Sequence, residues 1–261
     1  MKIRTLAVTL WLLATTSMGF AACDSGLAGR MNAKLHPGRA LDEERAACKS
    51  WPGVLGRSIV VLPLPRTDAE PGVTEFDLDI LIVQQADNGN TDRSTITSRL
   101  FEQKVLIEDA VHIEDIRIDT ARYPLAADAR AFGVRVRYSG TSRANPYANE
   151  TLMLYVPQGE RLRKVLNGLE MSMDRGEWDS NCIGTFEQMR GTLSVAITRS
   201  NGFADLMLRR TVTDSHASFV DGDCVEQPQA PSLESVLLRY DGTSYVQPAA
   251  PPYRQKPIRR Q

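Results

Sequence analysis

Four groups of side chains in this 261-residue chain have types and spacings that bear on chemistry. Glu177 and Asp179 flank Trp178, just before Cys182. An aromatic between two acids suits a sugar-binding site, or glycoside hydrolysis by a carboxylate pair. Strand geometry and a solvated edge account for the same residues without catalysis. Asp77 and Asp79 are two apart, so on a strand they share one face. Asp87, Asn88, Asn90 and Asp92 gather oxygen donors that Ca²⁺ tolerates. Their spacing is not that of an EF-hand loop, and a polar hairpin turn explains them equally. Arg130, Arg135, Arg137 and Arg143 recur beside Tyr138 and Tyr147. Arg and Tyr are enriched at binding hot spots, which makes this the best candidate binding surface.

Other chemistry finds less support. None of the three histidines, His36, His112 and His216, has a second His or Cys at metal-ligand spacing. His36 and His216 read as surface residues, and His112 borders a strand. The chain has no Gly-x-Ser-x-Gly elbow, phosphate loop or dinucleotide fingerprint. It has no Cys-x-x-Cys pair for thiol–disulfide exchange. No cofactor is implied. With 31 basic and 32 acidic residues the net charge is −1, without the basic footprint that nucleic acid requires. The expectation is a non-catalytic envelope protein that binds another protein or a cell-wall component, inhibitor or immunity-like roles included. The alternative is a periplasmic, carboxylate-dependent hydrolase acting on carbohydrate through Glu177 and Asp179.

The compartment is read from the N-terminus. Lys2 and Arg4 precede an apolar run from Leu6 to Leu13, and small residues follow at Gly19, Ala21 and Ala22. These are the parts of a secretory signal, residues 1–21. The run is too short for a bilayer span, which takes about 20 apolar residues. Phe20-Ala21-Ala22-Cys23 also resembles a bacterial lipobox, so a lipid anchor at Cys23 is the alternative to a soluble periplasmic or secreted form. The four cysteines are Cys23, Cys48, Cys182 and Cys224. An even count in an oxidising compartment favours disulfides. The local pairing, Cys23–Cys48 with Cys182–Cys224, is preferred because the two pairs lie at opposite ends of the chain.

The elements that position these residues read as mainly β. Residues 22–37 look like a flexible lead-in. Asp42, Glu43 and Glu44 opening a segment that ends at Lys49 predict a short helix over 40–49. Ser58–Leu62, Phe76–Val83, Ser94–Phe101, Ile113–Asp119 and Phe132–Tyr138 carry strand-like apolar runs or alternation. Phe76–Val83 alternates acid and apolar before turning apolar, like a strand entering a core from a wet end. Hairpins are expected around Pro157–Glu160, Asn201-Gly202 and Asp241-Gly242. The core is expected from Leu78, Ile80, Ile82, Ile116, Ile118, Val134, Val136, Leu154, Leu206, Leu208, Leu237 and Tyr240. Residues 51–246 then form one β domain of sandwich or partial-propeller type, with any internal division near 170–180. The segment 247–261 is Pro-rich, basic and too poor in apolar residues to fold alone.

Overall fold

The computed structural model describes residues 26–85 and 93–247. The leader, Cys23, the loop bearing Asp87, Asn88, Asn90 and Asp92, and the tail from residue 248 lie outside the described residues.

Within them the chain is mainly β, with one short N-terminal helix, α1 (Leu27–Leu35). The strands are β1 (Ala47–Ser50), β2 (Arg57–Pro65), β3 (Thr74–Gln85), β4 (Ser94–Glu108), β5 (Val111–Pro124) and β6 (Arg130–Gly140). They continue with β7 (Tyr147–Gln158), β8 (Arg161–Trp178), β9 (Gly184–Ser200), β10 (Phe203–Val220), β11 (Asp223–Pro228) and β12 (Ser232–Leu238). Hairpins dominate because the turns carry the residues they need. Asn201 (φ 47°) and Gly202 (φ 89°) both take the positive φ of a two-residue hairpin turn between β9 and β10.

Eight strands run in the order β1-β2-β3-β4-β8-β7-β6-β5. Every ladder among them is antiparallel except the single β4–β8 bridge at Arg99 and Arg161. The two ends of this path come together. Lys49 Nζ donates to the Ile118 carbonyl at 3.1 Å and Arg45 Nε to the Ile113 carbonyl at 2.7 Å. The sheet therefore rolls around one core, which takes Ile59, Ile80, Ile116, Val134, Val136 and Tyr155 from its inner face. Strands β9–β12 continue the sheet beyond β8. Leu206, Leu208 and Leu238 from β10 and β12 pack with Leu152, Leu154, Val165 and Leu169 of β7 and β8 in a second core. A third, smaller core lies between α1 and the outer face of β2 and β3.

The N-terminal helix is displaced from its expected position. Residues 47–50 pair with β2 as a strand, and the lead-in forms the helix instead. Leu27, Ala28 and Met31 lie one turn apart and are buried against Val60, Leu62, Leu64, Leu81 and Val83. The apparent acidic helix start at Asp42 is a turn, its carboxylate accepting the Arg45 N–H at 3.1 Å. Strand β2 runs through Pro63 and Pro65 because β1 pairs it only as far as Val61. The missing proline N–H groups therefore break no ladder on that side. Strand β12 pairs with β10, so the Asp241-Gly242 turn is closed by the isolated Tyr240–Tyr245 bridge and by the Asp241 carboxylate, which accepts the Thr243 and Ser244 N–H groups. Leu238, not Leu237, is the fully buried residue there. The other eleven expected core residues are buried.

Asp77 and Asp79 correct the reading of β3 as a strand with a wet end. Both are buried, on the face of β3 opposite Leu78 and Ile80. Asp77 accepts from Arg39 Nη2 at 3.0 Å, Arg66 Nη1 at 3.1 Å and the Lys104 N–H at 2.9 Å. Burial alone raises its pKa, but the Lys104 N–H and the two guanidiniums outweigh it and hold the carboxyl below the usual range. Asp79 is clasped by Arg99 Nη2 at 2.8 Å and His36 Nε2 at 2.7 Å. His36 is thus an interior partner and not a surface residue, because α1 carries it onto β3.

Candidate functional site

The expected binding arginines do not form a basic face. Val134 and Val136 are buried, and Arg135 and Arg137 project from the opposite side of β6. Carboxylates neutralise them there. Arg135 bonds Asp119 at 2.8 Å and Glu150 at 2.6 Å. Burial opposes the Arg135 charge, yet the bonds to Glu150 and Asp119 win and leave it more firmly protonated. Arg117 bonds Glu150 as well, and Asp115 at 2.9 Å. Arg137 pairs with Glu114 at 2.8 Å, with both side chains about half exposed.

The other candidates scatter. Arg130 is a brace, donating to the carbonyls of Pro52 and Thr120 with its guanidinium over the Trp51 ring. Tyr138 packs on the first core, and burial pushes its hydroxyl up to about 12. Arg143 is exposed in the β6–β7 turn. Tyr147 lines the cleft described below, and burial raises its pKa.

Asp179 closes the β8–β9 loop by accepting the backbone N–H groups of Asn181, Cys182 and Ile183 at 2.9–3.0 Å. The Asn181 and Cys182 bonds, with that of Ile183, hold its pKa low. An acid so engaged is poorly suited to donate a proton. Glu177 lies on β8 opposite Thr185. Among the described residues no group of three or more His, Cys, Asp or Glu is arranged to hold a metal ion.

What the topology assembles is a polar face across β6–β10 and β11. Cross-strand partners share a face, so the ladders give its rows directly. One row is Arg137, Glu150, Ser172, Arg190 and Thr211. The next is Ser139, Ala148, Asp174, Gln188 and Thr213. Gly176, Phe186, Ser215 and Pro228 follow, and then Trp178, Gly184, Ala217 and Glu226. A cleft of about 490 Å³ opens over this face, bounded by the β6–β7 turn on one side and β11 on the other. The β6–β7 turn is fixed to β8, whose Gly176 and Trp178 N–H groups donate to Pro146 and Ala144.

Glycines seat the aromatic end of this face. A Cβ on Gly176 would lie 2.4 Å from Phe186 Cδ1. A Cβ on Gly184 would lie 2.9 Å from Trp178 Cδ1 and 3.2 Å from Phe186 Cε2. Both rings therefore press onto the sheet where side chains are missing, in the manner of aromatic cover over strand glycines. Phe219, 61% exposed, extends the same face beyond Ala217.

The wall formed by β11 depends on a covalent tie. All six of its residues are exposed and it pairs only with β10. The Cys182–Cys224 disulfide anchors it to the β8–β9 loop. Cys48 is also disulfide-bonded; its expected partner, Cys23, lies outside the described residues.

No protein-family model, curated protein or solved structure significantly matches the chain. Function is therefore argued from the face itself. Sequence inspection missed Gln188, Arg190, Thr213, Ser215 and Phe186, because they come from two strands, β9 and β10, and share no local motif. The one legible signal was Trp178 between two acids.

Proposed function

We propose that this is an exported, non-catalytic envelope protein that holds a hydroxyl-rich glycan, a cell-wall component, along the face of β6–β11. The observation that carries the reading is the pairing of chemistries on one face. Trp178 and Phe186 offer aromatic surface to the apolar faces of sugar rings, while Gln188 and Thr213 offer amide and hydroxyl groups beside it. Ser172 and Trp178, in the outermost rows, are six residues apart on β8. At about 3.3 Å per residue the track is roughly 20 Å long, enough for a short oligosaccharide. Carboxylates on the face are engaged: Asp174 with Arg190 at 2.8 Å, Glu226 with the Ser215 hydroxyl at 2.5 Å, Glu150 with Arg135. That suits holding a ligand better than moving a proton.

The test uses tryptophan fluorescence. With the leader removed, the tryptophans are the buried Trp51 and the partly exposed Trp178. Titration of the mature chain with soluble oligosaccharides containing N-acetylglucosamine is expected to change the Trp178 emission saturably. Phe186→Ala is expected to weaken binding about tenfold, near 1.4 kcal/mol, measured below the melting transition of the variant. No saturable change, together with no heat of binding by calorimetry, overturns the reading.

A further inference from the structure

The end of this face farthest from Trp178 has a different chemistry. Arg137 and Arg190 both line a recess of about 130 Å³, with Glu150 and Ser172 between them in the same row. The recess adjoins the larger cleft, with which it shares Ala148 and Asp174. Its volume is roughly four times the ~30 Å³ share of one water. That is room for a small charged group.

The two arginines differ from their neighbour Arg135 in how they are held. Arg135 lies between Asp119 and Glu150, each only 13% exposed. Arg137 and Arg190 pair with Glu114 and Asp174, which are 43% and 46% exposed; Arg190 Nη1 is also anchored on the Met173 and Met189 carbonyls, which leaves its Nη2 as the edge toward Asp174. Water can solvate those carboxylates in place, so the guanidinium edges that face them can change partner at little loss. A guanidinium binds a carboxylate through two parallel N–H bonds, and two guanidiniums around one recess give that recognition a fixed position.

We infer that the glycan is acidic, and that the recess between Arg137 and Arg190 seats its carboxylate. The inference rests on the glycan reading above and adds the substrate class. Carboxylate at one end and aromatic surface at the other also give the bound chain a direction along β8. Asp174 and Glu150 border the recess, so an acid that did not engage the arginines would be repelled. The site thereby discriminates between a correctly placed carboxylate and one placed elsewhere on the chain.

The experiment compares two forms of one oligosaccharide by calorimetry. The first alternates N-acetylglucosamine with its lactyl-ether sugar acid, N-acetylmuramic acid. The second is the same chain with every carboxylate converted to a primary amide. The wild-type mature protein is expected to prefer the acid about tenfold at low salt, and the preference is expected to shrink as salt screens the contact. Arg137→Gln with Arg190→Gln is expected to bind the two forms alike, with its fold checked by thermal melting. Wild-type binding that is equal for both forms overturns the inference and leaves the glycan reading standing. Binding of neither form overturns both. A double variant that keeps the tenfold preference shows that the carboxylate sits elsewhere and overturns the inference. If the double variant fails to fold, the single change Arg190→Gln decides in the same way.

Discussion

Arg135 and Arg137 are two residues apart on one strand face, yet their loss should have very different consequences. Arg135→Ala removes contacts of 2.8 Å and 2.6 Å from Asp119 and Glu150, both largely buried. A hydrogen bond to a charged group contributes about 1.5–3 kcal/mol. Both acids keep other partners, Glu150 the guanidinium of Arg117, and Asp119 the Tyr123 hydroxyl and the Ala121 N–H. The loss therefore falls at about 2–3 kcal/mol in total. Arg137→Ala breaks one exposed pair, which contributes less than about 1 kcal/mol. In a chain of this size each kcal/mol moves Tm by about 2–4 °C. Arg135→Ala should lower Tm by about 4–12 °C, and Arg137→Ala by no more than about 4 °C.

The pH dependence checks the cause. Burial alone would raise the Asp119 pKa, but the Ala121 N–H and Arg135 together depress it in the folded state. A depressed carboxyl contributes stability that is complete above its unfolded pKa, near 3.9, and is lost as pH falls through the folded value. The gap between wild type and Arg135→Ala should thus be widest near neutrality and close below about pH 4. Calorimetric melts of both variants from about pH 7 to pH 3 read this directly. Equal Tm losses for the two arginines, or a gap that does not change with pH, would refute the reasoning.

Two further outcomes are expected. Cys182→Ser with Cys224→Ser should lower stability by up to about 4 kcal/mol on the loop-entropy argument, and hydrogen exchange should quicken most along β11. Unchanged protection there would show that the disulfide is not what holds the cleft wall. Asp79→Ala leaves Arg99 and His36 without their shared buried partner, and breaking such a cluster typically costs about 3–5 kcal/mol. Urea unfolding measures it, and a loss under about 1 kcal/mol would mean that the cluster contributes no more than a surface pair.

The mainly antiparallel β fold, most of its core and the Cys182–Cys224 bond were legible in the sequence. Those features depend on short-range rules. Alternation in Phe132–Tyr138 faces Val134 and Val136 inward because successive residues of a strand point opposite ways. Asn201-Gly202 turns the chain because glycine and asparagine accept positive φ. The helix was misplaced because three acids at 42–44 imitate a helix start. The real helix signal, Leu27, Ala28 and Met31, lay in a segment that looks polar and small.

Everything that gives the face its chemistry was decided by tertiary structure. Whether Arg135 is a displayed cation or a neutralised brace depends on Asp119 and Glu150, which reach it from β5 and β7. Asp77 and Asp79 became buried because the segment after α1 brings His36 and Arg39, the end of β2 brings Arg66, and β4 brings Arg99 and the Lys104 N–H around them. Trp178, Phe186, Gln188 and Thr213 share one surface only because β8, β9 and β10 pair in a particular register. A strand fixes which side its own residues face, and the sequence by itself determined that much. The register between strands sets which residues meet, and it is chosen by the packing of the whole sheet.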